Sequence, residues 1–563
     1  QDETAEAMLR RSLDIDPRQR EVAQHLLALR QRSCRWPIVS PWERVARETL
    51  LKSMSPLSAS AYTDDPMLLL AIAANYNLTD VGTHEDAFAD WPAATSATGP
   101  LRIGYLSSDL REHAVGHLMA EVFGLHDRSA VEVYAYYCGP AASDPMHRQY
   151  RETADHWVDV TGMDDHATAR RIAADGIQIL VDVNGYTREG RTKLLALRPA
   201  PIIVNWLGYP GTLGSPHHHY IVADDWIIPP DHEIYYSEKV LRLPCYQPNN
   251  RRRIVADTCP TRAEAGLPMD STVFCSFNGS HKITRFTFNR WLDILEGVPG
   301  SVLWLLTGTD GANERLVAHA AQRGIARERL VFAPKIANPH HLARYALADL
   351  FLDTIPYGAH TTASDALWMG VPVLTLAGRS FAARVCGSLV RAAGCPDLVT
   401  ETPAEFVARA IALGRDRSAL KRYRKQLLAN RETSTLFDMP KLVHELEHLF
   451  AGMWADFRAG NLPKPDLRNL DAYLTVGIAH DHEGTEVTGI ADYAGWWRKR
   501  LMARDRVRPI PPDGRFMQAE PAPASSETPI VKMPTEEVRH AGTVQGTAAA
   551  RDRRRRLPRV APV

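Results

Sequence analysis

The period of the apolar positions changes once along this chain, near residue 100. Up to about residue 95 they recur at helical intervals. Ala5, Leu9 and Leu13 share one face, Pro17 closes that run, and a second helix is predicted from Glu21 to Arg32. Helix, proline-terminated turn, helix is the form of a tetratricopeptide unit. One unit cannot bury its own face, so residues 1–95 read as the tail of a longer repeat array. An ordinary helical cap on the next domain is the alternative. Two more helical stretches, about 41–53 and 64–75, continue it.

Ala93–Pro100 is a linker by composition. Beyond it come short apolar runs: Arg102–Ser108, Val131–Tyr137, Ile179–Val183, Pro201–Trp206 and Tyr220–Asp224. Helical patterns such as Asp165–Ala174 separate several of them, which predicts a parallel sheet covered on both faces. After the polar stretch Gln247–Arg253 a second set follows: Thr272–Phe277, Ser301–Leu306, Leu330–Phe332, Leu350–Asp353 and Val371–Thr375. Two doubly wound lobes in tandem leave a cleft between the carboxyl ends of their strands, suited to a ligand that touches both. The predicted plan is helices over 1–95, a first Rossmann-like lobe over 100–240 and a second over 241–435. Helices that pack back on the lobes follow over 436–505. Among them, Phe437–Phe457 carries Leu442, Leu446, Leu449, Met453 and Trp454 on one side. Residues 506–563, rich in Pro, Arg, Ala and Glu, read as an extended or disordered tail, with Arg551–Arg556 solvated.

Charge narrows the partners. Lys+Arg and Asp+Glu each number 66 in 563 residues, so no overall bias draws nucleic acid or a membrane surface. No apolar run is long enough to span a membrane. Seven scattered cysteines without a Cys-x-x-Cys fit a reducing compartment, and the first residues do not resemble a signal peptide. A cytoplasmic location is expected.

The candidate chemistry sits at strand ends. Asp353–Trp368 runs from an apolar strand through a Pro/Gly turn into His360, Thr361, Thr362 and Asp365 at a helix start. Free N–H groups and hydroxyls there form a cradle for a diphosphate, with Asp365 placed for a ribose. Lys282, after another strand, would neutralise leaving-group charge, with a solvated loop lysine as the alternative. His341 and Arg344 lie one helical turn apart, placed to flank a base and its phosphates. In the first lobe His113 follows a strand and its polar turn, where a neutral imidazole can take a proton; a structural role for it or for His117 is the other reading. Asn184 and Thr187 follow the strand Ile179–Val183 and are placed to bond a peptide or a sugar, though Asn-Gly is also ordinary turn chemistry. Gly211 lies in a Gly/Pro turn that lets backbone approach a ligand. His217–His219 cannot easily converge on one ion, so a non-metal role is expected. No Asp-x-Asp follows a strand where a metal-dependent sugar transferase would hold Mg²⁺, so the chemistry is expected to need no metal.

Together these motifs resemble the O-linked N-acetylglucosamine transferases, glycosyltransferase family 41, in their bacterial, Xanthomonas-type form. The resemblance runs from about Leu13 to Gly460. It is carried by Gly104–Asp109 with His113 and His117, Asn184–Thr187, Leu197–Pro201, Trp206–Thr212, Tyr236–Lys239, Ser301–Leu306, and His360–Thr362 with Asp365. It implies a GT-B fold, a repeat region, and inverting transfer of N-acetylglucosamine from UDP-GlcNAc to protein Ser or Thr. It implies no cofactor beyond that donor, and protein acceptors held along the helical groove. By motif, His113 matches the proposed base and Lys282 the diphosphate lysine. Thr361, Thr362 and the His360 turn match the phosphate loop, Asp365 the ribose ligand, and His341 and Arg344 the uridine side; Asp182 is an alternative base. Gly279 stands where the family has glutamine, the uracil-side lysine is replaced around Asn338, and the insert between the lobes of animal enzymes is missing. A non-catalytic UDP-binding scaffold, or a GT-B epimerase or hydrolase, are the competing readings.

Overall fold

The computed structural model describes residues 2–517; residues 518–563, with the arginine run 551–556, lie outside the described residues. The first sheet has seven parallel strands: β1 Leu101–Ser107, β2 Val131–Tyr137, β3 His156–Asp159, β4 Ile179–Asp182, β5 Ile202–Asn205, β6 Tyr220–Ala223 and β7 Lys239–Arg242. Their spatial order is β3-β2-β1-β4-β5-β6-β7. The second sheet has six: β8 Val273–Ser276, β9 Val302–Leu306, β10 Leu330–Ala333, β11 Leu350–Leu352, β12 Val373–Leu376 and β13 Val399–Thr400, ordered β10-β9-β8-β11-β12-β13. β4, β5 and β8 are buried at every position, because helices cover both faces of a parallel sheet. This is the two-lobed GT-B architecture.

The sequence pattern omits β3, β7 and β13. All three are edge strands. His156-Trp-Val-Asp159 has one covered flank, so it needs few apolar side chains and leaves no run to detect. The helix predicted over Asp165–Ala174 is found at those bounds, started by Asp164, whose Oδ1 accepts from the Ala167 N–H at 2.7 Å.

The N-terminal residues form helices Asp2–Ile15, Arg20–Arg32, Arg47–Ser53, Pro56–Tyr62 and Pro66–Tyr76. The first two form a helical hairpin with Leu13, Leu26 and Leu27 buried. This layer leans on both lobes. Ser280 Oγ donates to the Arg32 carbonyl at 2.6 Å, and Asn77 Nδ2 to the Tyr186 hydroxyl at 2.9 Å. Asp64 accepts the N–H groups of Arg379 and Ser380, at 3.0 and 2.8 Å, while Asp65 caps the helix Pro66–Tyr76 and accepts from the Tyr493 hydroxyl at 2.6 Å. This acidic pair is a structural joint between the helical layer, the second lobe and the C-terminal helices.

Three helices follow the second lobe: Met439–Arg458, Leu470–Ile478 and Tyr493–Asp505. The first starts at the lobe junction, where the Asn249 N–H meets Met439 Sδ at 3.1 Å, and returns along the first lobe. Its Glu447 accepts from His126 Nδ1 and the Asp127 N–H, both at 2.8 Å, and Asp456 accepts from Lys239 Nζ at 3.0 Å. Leu442, Leu446 and Met453 are buried, as the amphipathic pattern requires; Leu449 and Trp454 are half-buried at its margin. Residues 506–517 run without helix or strand, yet Ile510 and Phe516 are buried, and Phe516 stacks on Trp497.

Candidate active site

The lobes face each other across a cavity of about 440 Å³. Glu112 and His117 line it from the first lobe, Asn250, Arg252 and Arg253 from the connector, and Asn338, Thr361 and Asp365 from the second lobe.

The second-lobe wall is built from two strand ends. Asp353, just past β11, fixes the loop after it. Its Oδ1 accepts the N–H groups of Thr354 and Ala359, at 2.8 and 2.6 Å, and its Oδ2 accepts from Thr375 Oγ1 at 2.7 Å. That loop delivers His360 to the start of the helix Thr361–Trp368, whose first-turn N–H groups point out of the helix end. His360 Nε2 faces the Ala382 carbonyl at 3.1 Å and its ring stacks on Tyr357. Burial, then the Lys282 charge, pushes its pKa down to about 3, so it is a neutral imidazole. Thr362 Oγ1 donates to Asn278 Oδ1 at 2.6 Å, tying the helix start to the end of β8.

Lys282 lies in the turn Ser280–Lys282 after β8, against which the helix Arg20–Arg32 packs. Its Nζ donates to the Gly358 carbonyl at 2.8 Å and sits 4.0 Å from the centre of the Tyr357 ring. Burial lowers its pKa to about 7, and Asp353 only partly offsets this. The turn holds this amine at the loop Asp353–His360 without a paired carboxylate, so an arriving anion would recover charge that folding suppresses. A Cβ at Gly279 would lie 2.7 Å from the His281 ring, so His281 fills the space beside this glycine.

Asp365 is buried and engaged by Arg253, whose guanidinium also reaches Ser364 Oγ and packs over Trp368 and Phe437. Sequence reasoning did not single out Arg253. Its only signal was the triplet Arg251–Arg253, read there as polar linker. Arg344 is 2 % exposed. It donates to the Pro334 carbonyl at 2.7 Å, lies over Phe277 and meets His341 Nδ1. Arg344 therefore orients His341 from behind and does not itself reach the cleft. Burial, then Arg344, pushes His341 down to about 3.

In the first lobe His113 starts the helix Ala114–Met119 and its Nδ1 accepts from the Val115 N–H at 3.4 Å. The same Nδ1 lies 3.4 Å from Asp109 Oδ1, and the ring is about 40 % exposed. Burial lowers its pKa, against the raising effect of Asp109, which keeps the imidazole neutral at neutral pH. Asn184 is 1 % exposed and braces that carboxylate. Its Nδ2 donates to Asp109 Oδ2 at 2.9 Å and to Ser108 Oγ at 2.8 Å, and its Oδ1 accepts the Ser108 N–H at 2.8 Å. Thr187 Oγ1 in turn donates to the Asn184 carbonyl at 3.0 Å. Asn184 thus braces the His113 turn, and Thr187 braces Asn184.

Asp182 is likewise closed off, at 1 % exposure. Its Oδ1 accepts the N–H groups of Asn184 and Gly185, at 3.1 and 2.8 Å, and its Oδ2 faces His218 Nε2 at 3.1 Å. His218 Nδ1 is 3.0 Å from Ser215 Oγ. The middle histidine of His217–His219 is thus a partner of the β4 carboxylate, while His219 Nδ1 accepts the Ile203 N–H at 3.1 Å. The rings turn to different partners. Gly211 gives its carbonyl to Asn205 Nδ2 at 2.8 Å, which holds the Gly/Pro turn on β5.

Comparison with known proteins follows the same outline. The sequence profile described as Glycosyl transferase family 41 matches residues 71–249 and 247–446. The probable UDP-N-acetylglucosamine–peptide N-acetylglucosaminyltransferase SEC of Arabidopsis thaliana is 35 % identical over 436 residues, covering 74 % of this chain and 44 % of that one. The UDP-N-acetylglucosamine–peptide N-acetylglucosaminyltransferase of Caenorhabditis elegans is 30 % identical over 473 residues, covering 64 % of this chain and 41 % of that one. The chain spans less than half the length of these curated relatives. A solved mutant of the Thermobaculum terrenum O-GlcNAc transferase matches with a TM-score of 0.68 at 31 % identity, covering 80 % of this chain and 87 % of that one.

Proposed function

Because this chain belongs to glycosyltransferase family 41, we propose that it is an inverting transferase that moves N-acetylglucosamine from UDP-GlcNAc to serine and threonine hydroxyls of proteins. One observation carries this reading: Thr361 and Asp365 line the same cavity as His117, so a donor at the helix start faces the lobe that holds His113.

The acceptor oxygen attacks the anomeric carbon from the face opposite UDP. The new glycosidic bond forms as the bond to the β-phosphate breaks, and the electron pair leaves with UDP. Lys282 and the first-turn N–H groups of Thr361 and Thr362 stabilise the charge that develops there. Asp365, fixed by Arg253, takes the ribose; His341, fixed by Arg344, lies on the uridine side. The acceptor proton goes to His113 or to the donor phosphate. Asp182 positions the Asn184 turn, since both its oxygens are engaged. The residues that face the diphosphate supply cationic charge and N–H donors, and the reaction is proposed to run without a metal ion, testable as full activity in chelator.

The acceptor runs along the helical layer, which abuts the Lys282 turn through Ser280 and Arg32. Among the described residues no helix is long and apolar enough to cross a membrane, and a cytoplasmic site of action is proposed. The test is labelled UDP-GlcNAc with a proteome extract, for the wild type and Lys282→Met. Labelled protein from the wild type alone supports the proposal. Donor binding without transfer selects the scaffold reading, and free sugar without labelled protein selects hydrolysis.

A further inference from the structure

Away from the cleft, one cluster of side chains has no part in the proposed reaction. His84 and Asp86 lie in the segment between the helical layer and β1, and His166 is the second residue of the helix Asp165–Ala174. One ligand atom from each lies within 4.8 Å of the others. Asp86 Oδ2 is 3.1 Å from His166 Nδ1, and the rings of His84 and His166 meet edge to face. None of the three lines the interlobe cavity.

We propose that His84, Asp86 and His166 form a site for a divalent transition-metal ion of the zinc class. Two imidazoles and one carboxylate suit zinc, nickel or copper, whereas magnesium and calcium prefer oxygen alone. A tetrahedral zinc site holds its ligands about 2.0–2.2 Å from the metal, and hence about 3.4 Å from one another. The cluster therefore needs only a small side-chain contraction, which its surface setting allows: the side chains of His166 and Asp86 are 48 % and 62 % exposed.

Both halves are held in place before any ion arrives. The helix bearing His166 is capped by Asp164 and braced by Arg191, which reaches Asp165 at 2.8 Å. The segment bearing His84 and Asp86 is pinned just beyond, where the Phe88 N–H donates to the Leu197 carbonyl at 2.9 Å and Trp91 Nε1 to the Arg198 carbonyl at 2.8 Å. The three ligands leave a fourth position to water. The bound ion would fasten the approach from the helical layer to the outer face of the first lobe.

The test is a Zn²⁺ titration of the whole chain by calorimetry, with Co²⁺ absorption as a second readout. His444 and His448, exposed one turn apart on the helix Met439–Arg458, form a pair that also attracts such ions, so His444→Ala is the control. The expected result is a site that survives His444→Ala and weakens at least about tenfold in His166→Ala and Asp86→Asn, the scale on which even supporting residues of a metal site act. Zn²⁺ should also raise the Tm of the wild type and leave that of His166→Ala unchanged. The three positions are at the surface, so the metal-free Tm values should agree. No Zn²⁺ binding, equal binding by wild type and His166→Ala, or binding lost only in His444→Ala, each overturns the assignment.

Discussion

Arg253 closes on Asp365, so the connector between the lobes is fastened to the residue proposed to hold the donor ribose. Both side chains are more than nine-tenths buried. Breaking a buried pair from one side typically costs about 3–5 kcal/mol, because the other charge is left uncompensated. Arg253→Met is expected to lower stability on this scale in denaturant titration. It should also raise the KM for the donor more than it lowers kcat, because Asp365 then loses its fixed orientation.

The Lys282 pKa, pushed down by burial from 10.5 to about 7, makes a signed prediction. Between these values the unfolded chain keeps the proton that the folded chain releases. This contribution to folding stability therefore rises from about pH 7 to about pH 10.5 and is flat outside that window. Lys282→Met should lack the rise in unfolding curves taken across it. The kcat/KM of the wild type should fall above about pH 7, since the free enzyme needs the ammonium to meet the diphosphate.

His113 has its pKa lowered by burial and faces Asp109. If it takes the acceptor proton, His113→Ala lowers kcat by about 10²–10⁴ and removes the acidic limb of the rate profile. A loss smaller than tenfold assigns the proton to the donor phosphate. Asn184→Ala is expected to reproduce part of the loss, because it frees the Asp109 carboxylate that faces the imidazole.

Asp182 and His218 are predicted to act through the Asn184 turn and not on the acceptor. Asp182→Ala should destabilise the fold by about 3 kcal/mol or more, since it orphans two N–H groups and a buried imidazole. Residual activity should keep the acidic limb of the wild type. Loss of that limb would restore Asp182 as the base.

The central strands and the loop leading into the helix Thr361–Trp368 were legible because their signals are local. A buried parallel strand is an unbroken apolar run, and a helix start after such a strand announces its free N–H groups. The edge strands β3, β7 and β13 lacked that run. Lys282 and the Thr361 turn could be read from the chain, but Arg253 could not: its meaning lies in Asp365, more than a hundred residues away. The His217–His219 run shows the same limit. Sequence could set aside convergence on one ion, yet only the fold reveals that His218 belongs to the β4 carboxylate. The burial of Arg344 and Asn184 behind His341 and Asp109 was not legible either, because burial is not written in spacing.

The helix Met439–Arg458 gives the polypeptide a second crossing beside the connector, and both pass close to Asn249 and Met439. These two crossings are not the whole of the junction. The helical layer adds further ties, since Asp64 accepts the N–H groups of Arg379 and Ser380 on the second lobe and Asn77 donates to Tyr186 on the first. Glu447 and Asp456 fasten the returning helix to the first lobe, so any displacement of one lobe against the other must break contacts at several separate places and not merely bend the connector.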